Sequence, residues 1–339
     1  MSRLNFFPVL ERVQNGDFLD ADSAADAFEK IMSGHVAEDD LADFLLALAE
    51  RGPAVPEITG AVRVMRAKMT AIDAPPDAVD LCGTGGDGQG TLNISTAVSF
   101  VVAACGVPVA KHGNRSMSSR TGAADTLEAL GARIDLAPDA SARVLRDTGL
   151  CFLFAQAHHP AMKHVAEVRK QLGIRTIFNL LGPLSNPARV TRQLVGVYAR
   201  EWVRPVAEVL RDLGAEHAWV VHGADGLDEI TTTDFTHVAV LQNGAITERN
   251  IDPGEAGIGR ATLAGLKGGS AIENAAAITR LLAGETGPYR DVVLINAAAV
   301  LVIAGKAKTL RDGASLAAAG IDSGHAKRTL DAFVAATRA

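Results

Sequence analysis

The residues best suited to chemistry lie in one stretch of the chain, residues 79–131. A short apolar run, residues 79–82, precedes a loop with five glycines, and a helical pattern begins near Asn93. Glycine lets backbone N–H groups approach a ligand without interference from a Cβ, and a helix start adds unpaired N–H donors. The order strand, glycine loop, helix therefore predicts a phosphate site. The alternative is a tight turn that serves packing alone.

A second candidate phosphate contact follows the next apolar run, residues 107–110. It offers two fixed cations and three hydroxyl groups, on the segment Lys111, His112, Gly113, Asn114, Arg115, Ser116, Met117, Ser118 and Ser119. Two such loops predict a ligand with two phosphate groups. A dinucleotide site fits poorly, because Asp87 interrupts the glycine loop and the second strand ends in Lys111 instead of an acid for a ribose hydroxyl. The Walker pattern is also absent.

Two adjacent carboxylates, Asp228 and Glu229, lie in a glycine-flanked loop after the apolar run 218–222. Magnesium is commonly held by one or two carboxylates together with substrate phosphate, so this pair is a candidate metal site. The alternative is a solvated acidic turn. We expect both side chains to be solvated, so that their replacement by amides leaves the fold intact.

Bulk properties indicate a soluble enzyme with one large and one small domain. The chain has 339 residues and a formal charge of −6, which argues against a general nucleic-acid or membrane surface. The apolar stretches 97–110 and 292–305 are too short to span a membrane, and the N-terminal residues do not resemble a secretory signal. Cys82, Cys105 and Cys151 lie in apolar patterns, which favours free thiols in a reducing compartment, so we expect a cytoplasmic location.

The periodicity predicts an α/β fold with a small helical domain. Residues up to about 69 show helical stripes only, and the proline-containing segment 73–77 serves as a linker. Beyond it, strands and helices alternate, which predicts a mostly parallel sheet with helices on both faces. The strand candidates are residues 79–82, 107–110, 132–136, 150–154, 194–198 and 218–222. The segment 238–247 contains Asn-Gly and predicts an antiparallel hairpin at a sheet edge.

Five ordered motifs resemble the anthranilate phosphoribosyltransferases of tryptophan biosynthesis, and the resemblance covers nearly the whole chain. The motifs are DLCGTGGD from Asp80, NIST from Asn93, KHGNRS from Lys111, HPAMK from His159 with RTIFNLLGPLSNP from Arg175, and DGLDEI from Asp225. The resemblance implies a small helical domain from residues 1–72 plus about 159–190, on the anthranilate side. It assigns residues 77–158 plus about 191–339 to a large α/β domain for phosphoribosyl pyrophosphate and magnesium. It also implies a homodimer through the helices and leaves open an anthranilate synthase partner.

The resemblance also implies site residues. Arg169 and Asn114, with Gly83, would hold anthranilate, and Ser95, Asp228 and Glu229 would hold two Mg²⁺ ions. Phosphoribosyl pyrophosphate would contact Gly83, Gly86, Asp87, Thr91, Asn93, Ile94, Ser95, Thr96, Ala123 and the nine residues from Lys111 to Ser119 given above. His112 and His159 are candidates for contacts near the amine, although packing explains them equally well.

The implied reaction is attack by the amine of anthranilate on the anomeric carbon of 5-phosphoribosyl 1-pyrophosphate. An aromatic amine is neutral at pH 7, so a strong general base is not essential, and we expect no single catalytic residue and no covalent intermediate. Two positions depart from the family pattern: Ala123 replaces a serine, and Gln156 replaces the proline before the His-Pro-Ala-Met motif.

Two other functions are weighed against this one. A pyrimidine nucleoside phosphorylase would share the fold and glycine loop, but that group carries a Lys-Met-Ser-Gly-Arg type segment where this chain has Lys111 to Arg115. A non-catalytic relative that binds nucleic acid is disfavoured by the acidic net charge, by Arg169 and by the intact pair of Asp228 and Glu229.

Overall fold

A seven-stranded sheet forms the centre of the protein, whose computed structural model describes residues 6–115 and 121–339. The strand order is β3-β2-β1-β4-β5-β6-β7. The first five strands in this order are parallel to one another, whereas β6 pairs antiparallel with both β5 and β7. The strands are β1 (Val79–Gly83), β2 (Val109–Gly113), β3 (Leu150–Phe154), β4 (Arg192–Gly196), β5 (His217–Gly223), β6 (Thr236–Gln242) and β7 (Ala245–Ile251). The predicted mostly parallel sheet is confirmed.

Helices cover both faces of this sheet. The first group is α1 (Phe7–Gln14), α2 (Ala21–Met32), α3 (Glu38–Arg51), α4 (Val55–Lys68), α5 (Ile94–Ala104), α6 (Ala123–Ala129) and α7 (Pro138–Thr148). The second is α8 (Ala155–His158), α9 (Ala166–Leu172), α10 (Phe178–Leu184), α11 (Val203–Asp212), α12 (Ala271–Leu282), α13 (Pro288–Ile303), α14 (Leu310–Asp322) and α15 (His325–Ala336). A 3₁₀ turn, Pro160–His164, separates α8 from α9.

Strand alternation divides the core into two main hydrophobic clusters. Successive side chains of a strand point to opposite faces, so Leu194 belongs to a cluster with α5, α13, α14 and α15, whereas Val195 belongs to a second cluster with α2, α4 and α11. The second cluster also contains Val168 of α9 and Phe178 of α10. The segment between β3 and β4 therefore packs against the N-terminal helices, as the family resemblance implies.

A buried carboxylate links β1 to its neighbours in the middle of the sheet. Asp80 is fully buried and accepts hydrogen bonds from the backbone N–H of His112 (3.1 Å) and from Nδ2 of Asn186 (2.7 Å). The same Asn186 amide also donates to the carbonyl of Ala110 at 2.8 Å. These bonds fix β2 and the end of the inserted segment on the strand that leads into the glycine loop.

The structure confirms the predicted Asn-Gly hairpin but not the predicted strand 132–136. Asn243 and Gly244 have φ values of 51° and 77°, as a tight hairpin requires, and β6 and β7 pair as expected. The predicted strand 132–136 is wrong. Its alternate residues Ala132, Ile134 and Leu136 are buried, but they pack under α15 and the described chain places no strand beside them.

Helix α14 contains two glycines, Gly313 and Gly320, which weaken its helical pattern in the sequence. A Cβ on Gly313 would lie 2.8 Å from the Cα of Ala298, so this glycine permits close packing of α14 on α13. Within the described residues, no helix is both long and apolar enough to cross a membrane.

Candidate active site

The site lies at the point where the sheet's chain order reverses. From β1 the chain proceeds to β2 on one side, whereas β4 pairs on the other side of β1. In open α/β sheets, ligands bind beyond the carboxyl ends of strands at such a point. Four strands end there in glycine: Gly83, Gly113, Gly196 and Gly223.

The glycine loop turns sharply between β1 and α5. Gly85, Gly86, Gly88 and Gly90 have φ values between 60° and 75°, a region that residues with a Cβ rarely adopt. The loop begins with Thr84, whose N–H donates to the carbonyl of Gly196 at 2.9 Å. It ends at α5, so backbone donors from the loop and from the helix N-terminus converge, as the sequence predicts.

The acidic loop lies directly on this glycine loop. Oδ2 of Asp228 accepts a hydrogen bond from the N–H of Gly85 at 2.8 Å, and Oε1 of Glu229 accepts one from the N–H of Ser95 at 3.2 Å. A Cβ on Gly83 would overlap the Asp228 carboxylate, and a Cβ on Gly196 would overlap the Asp228 carbonyl. The two strand ends must therefore be glycine for the acidic loop to sit here.

These carboxylates are half-buried and hydrogen-bonded, which corrects the expectation that both are fully solvated. Desolvation raises the pKa of Asp228 well above its usual value, and the neighbouring Asp87 raises it further. Desolvation and the Asp228 charge likewise raise the pKa of Glu229, against the opposing effect of Lys111. The site thus holds two adjacent, half-buried acidic groups whose ionised forms are disfavoured.

Lys111 lies beneath the metal candidate Ser95. Its Nζ is buried and donates to the carbonyl of Leu81 at 2.7 Å and to Oγ of Ser95 at 3.1 Å. It therefore orients the Ser95 hydroxyl and partly balances Glu229.

Two neutral histidines meet behind the β2 end. Nε2 of His112 lies 3.2 Å from Nε2 of His159, and Nδ1 of His112 lies 3.0 Å from the carbonyl of Gly182. Desolvation lowers the pKa of His112 to about 3 and that of His159 to about 4. Since a carbonyl only accepts, Nδ1 of His112 carries its proton, and Nε2 accepts one from His159.

Arg169 is a half-buried residue of α9 whose guanidinium forms no ion pair with the described residues. Its guanidinium lies 5.4 Å from the ring centre of Phe178, and desolvation lowers its pKa. Within the described part of the chain, no Asp or Glu lies within ion-pair distance of it. A desolvated guanidinium without a counter-charge is suited to a ligand carboxylate.

Arg115, which the sequence groups with the phosphate contacts, forms ion pairs with α6, and its contact with phosphate stays a prediction. Its guanidinium pairs with Asp125 at 2.8 Å and with Glu128 at 2.6 Å on α6. Asn114 turns its Oδ1 to the N–H of Arg115 at 2.8 Å.

The remaining predicted phosphate contacts differ in whether their side chains can face a ligand. The side chains of Ile94 and Thr96 are buried in α5, so only their backbone can face a ligand. Oδ1 of Asn93 accepts from Thr126 at 2.6 Å and from Asn274 at 2.8 Å. Ala123 starts α6, and Thr91 pairs with Lys267. Ser116, Met117, Ser118 and Ser119 lie outside the described residues.

Three residues that support the site were not singled out from sequence. Asn296 of α13 binds both the N–H and the carbonyl of Ile230, at 3.0 and 2.8 Å, and so holds the acidic loop. Gly196 provides the close approach described above, and Arg175 contacts the glycine loop. A lone asparagine within an apolar helix was the available signal for Asn296.

The donor set fits magnesium only when substrate completes it. The described residues hold no group of three His, Cys, Asp or Glu side chains arranged as metal ligands. Asp228 and Glu229 nevertheless form a repelling pair beside Ser95, and a hard divalent cation would relieve that repulsion. This matches the usual mode of magnesium, with phosphate oxygens and water as its other ligands.

Comparison with known proteins defines the class first. A family model described as "Glycosyl transferase family, a/b domain" matches residues 75–327, and one described as "Glycosyl transferase family, helical bundle domain" matches residues 7–69. The chain is 54% identical over 336 residues to the anthranilate phosphoribosyltransferase of Rhodopseudomonas palustris (strain HaA2), covering 99% of each chain. It is 56% identical to that of Parvibaculum lavamentivorans over 333 residues, 98% of each chain. The chain belongs to the anthranilate phosphoribosyltransferase family.

Solved structures agree with this assignment. The anthranilate phosphoribosyltransferase of Thermus thermophilus superposes with a TM-score of 0.92 at 42% identity, covering 97% of this chain and 99% of that one. The Saccharomyces cerevisiae enzyme, in complex with PRPP and Mg, gives a TM-score of 0.92 at 26% identity, with 99% of both chains covered.

The raised carboxyl pKa values predict how the stability of the ligand-free protein depends on pH. The folded protein holds protons on Asp228 and Glu229 that the unfolded chain has already released, so stability should fall as pH rises from about 4 to about 8. The variant Asp228→Asn with Glu229→Gln should lose part of this slope and melt about 2–4 °C higher at about pH 8. Thermal melts across this range, without metal, measure it.

The exposed carboxylates Asp73 and Glu50 provide the control. The variant Asp73→Asn with Glu50→Gln removes the same charge and should keep the slope of the wild type. An unchanged slope in the site variant would contradict a half-buried pair of carboxylates that repel each other.

Proposed function

We propose that the protein transfers the phosphoribosyl group of 5-phosphoribosyl 1-pyrophosphate to the amine of anthranilate. The products are N-(5-phosphoribosyl)anthranilate and pyrophosphate, and the reaction is the second step of tryptophan biosynthesis from chorismate. The observation that carries the proposal is the meeting of the glycine loop, the α5 N-terminus and the acidic pair at one sheet edge. Family membership over nearly the full chain supports the same reaction.

The chain's residues act by binding and alignment. Backbone donors of the glycine loop and of α5 bind phosphate, and Lys111 keeps the hydroxyl of Ser95 oriented. Two Mg²⁺ ions would be held by Ser95, Asp228 and Glu229 with phosphate oxygens, and when bound they neutralise charge on the departing pyrophosphate. Arg169 holds the carboxylate of anthranilate and so points its amine at the anomeric carbon.

The nucleophile needs no strong base from the protein. Anthranilate carries a neutral amine, and the nearby His112 and His159 are themselves neutral because burial lowers the pKa of each. The amine's lone pair forms the new C–N bond as the bond from carbon to pyrophosphate oxygen breaks, and the amine then loses a proton. No residue forms a covalent intermediate in this scheme.

Anthranilate fluorescence tests the proposal. The wild-type protein with phosphoribosyl pyrophosphate and magnesium should consume the fluorescence of anthranilate, and omission of either should stop it. Phosphorolysis of thymidine or uridine would instead indicate a nucleoside phosphorylase, and DNA binding that weakens with salt would indicate a nucleic-acid-binding relative.

We propose the predicted domain division and a homodimer for the assembly. The helical part exposes Phe7 and Phe18, each more than half accessible, and Arg51 covers the Phe18 ring from one side at 4.4 Å. Exposed apolar side chains favour burial against a second copy. An anthranilate synthase partner and a cytoplasmic location stay proposals from the family resemblance.

Sedimentation equilibrium at micromolar concentration should give twice the chain mass of 35.3 kDa. Phe7→Ser with Phe18→Ser should shift the protein towards monomer, whereas Ile272→Ser, an exposed apolar residue of α12, should not. A wild-type monomer would contradict the dimer.

Replacement of Arg169 should affect one substrate. Arg169→Ala should lower kcat/KM for anthranilate by a factor that corresponds to about 2–4 kcal/mol of lost transition-state stabilisation, because a desolvated charged hydrogen bond is lost. The KM for phosphoribosyl pyrophosphate should stay nearly unchanged. Steady-state kinetics with each substrate varied measure the split.

The neighbouring Lys170, exposed on the same helix, is the matched control. Lys170→Ala should retain wild-type kinetics. Equal losses for both substrates in Arg169→Ala would point to folding or domain closure instead.

Magnesium and phosphoribosyl pyrophosphate should bind with positive coupling. Because Asp228 and Glu229 would repel a pyrophosphate, magnesium should tighten its binding, and Asp228→Asn with Glu229→Gln should lose that response and magnesium-dependent turnover. Calorimetric titration of the substrate with and without magnesium measures the coupling. Equal affinity under both conditions in the wild type would remove the metal assignment.

A further inference from the structure

Arg175 joins the inserted segment to the glycine loop. It lies between α9 and α10, exposed, and its guanidinium donates a hydrogen bond to the carbonyl of Gly86. The same guanidinium lies 4.5 Å from the ring centre of Tyr198. Arginine combines a planar stacking face with donors at its edge, so one side chain can make both contacts at once.

Tyr198 is itself bound to the start of the loop. Its backbone N–H donates to Oγ1 of Thr84 at 3.0 Å, just before the loop's first positive-φ glycines. The contacts therefore form a closed ring through Thr84, Tyr198, Arg175 and Gly86, which we call the loop clamp. It encloses glycine-rich backbone, and glycine loses more conformational freedom than any other residue on ordering.

The clamp fixes a peptide unit whose donor has no protein partner. In a planar trans peptide the C=O and N–H point in opposite directions, so holding the Gly86 carbonyl turns the N–H of Asp87 away from Arg175. Within the described residues, that N–H makes no hydrogen bond. A preorganised donor of this kind costs little to use when an anion binds.

We propose that Arg175 is a positioning residue that holds the Asp87 N–H ready for a pyrophosphate oxygen, with Tyr198 as its stacking support. The proposal rests on the proposed function, because the anion is that of phosphoribosyl pyrophosphate. It also gives a reason why the segment that carries Arg169 contacts the glycine loop through Arg175. The positions of the anthranilate carboxylate and of the pyrophosphate are then fixed relative to each other by one segment.

The test compares substrate affinities in clamp variants. Arg175→Lys keeps the charge but loses the stacking plane, and Tyr198→Leu loses the ring. Each should raise the Kd for phosphoribosyl pyrophosphate with magnesium about tenfold. The KM for anthranilate and the melting temperature of the ligand-free protein should stay near wild type. Tyr198→Phe retains the ring and should bind as the wild type does.

Two further arms make the result decisive. The double variant Arg175→Lys with Tyr198→Leu should be no weaker than the weaker single variant, because both act through one contact. Arg200→Lys, an exposed arginine near Tyr198 in the chain, is the control and should leave the Kd unchanged.

An unchanged Kd in Arg175→Lys, additive losses in the double variant, or equal losses for both substrates with a lower melting temperature would each overturn the proposal. These outcomes are separable from failure of the proposed function, in which the wild type itself would not bind phosphoribosyl pyrophosphate.

Discussion

The site depends on the packing of two carboxylates against a loop built to bind anions. Asp228 and Glu229 accept hydrogen bonds from the N–H groups of Gly85 and Ser95, donors that a phosphate could otherwise use. The acidic loop approaches this closely only because Gly83 and Gly196 have no Cβ. The protein's own carboxylates thus occupy part of the anion site when no ligand is present, and the strand ends, the glycine loop and the acidic loop constrain one another.

This arrangement sets stability against function. Burial and mutual repulsion favour protonated carboxyls, so the ligand-free fold is most stable when Asp228 and Glu229 carry protons. A metal needs them ionised. The bound cation must therefore provide the stabilisation of the ionised carboxylates that solvent does not provide. A residue arrangement that lowers stability but serves function is typical of active sites. Asn296 and Lys111 limit the cost, because they hold the acidic loop and its facing hydroxyl in place before ligand arrives.

Sequence predicted those parts of the site that are local in the chain. The glycine loop and α5, the Asn-Gly hairpin and the acidic pair are each defined by neighbouring residues. What it missed depends on contacts between distant residues. The partial burial of Asp228 depends on its close approach to Gly83 and Gly196, and Arg115 forms its ion pairs with Asp125 and Glu128. The alternation at 132–136 is real, but a strand also needs a neighbouring strand, and this segment instead bonds to the end of α15, where the N–H of Arg133 donates to Oγ1 of Thr337 at 3.1 Å.

The neutral histidines indicate where the catalytic effort lies. His112 and His159 are joined by one hydrogen bond between their Nε2 atoms, and burial keeps the pKa of each far below neutrality. They therefore supply no positive charge and only a weak base. Such surroundings suit a nucleophile that is already neutral, and they would leave an alkylammonium ion protonated and unreactive. The barrier must then be lowered at the leaving group, which is where the glycine loop, Ser95 and the acidic pair are concentrated.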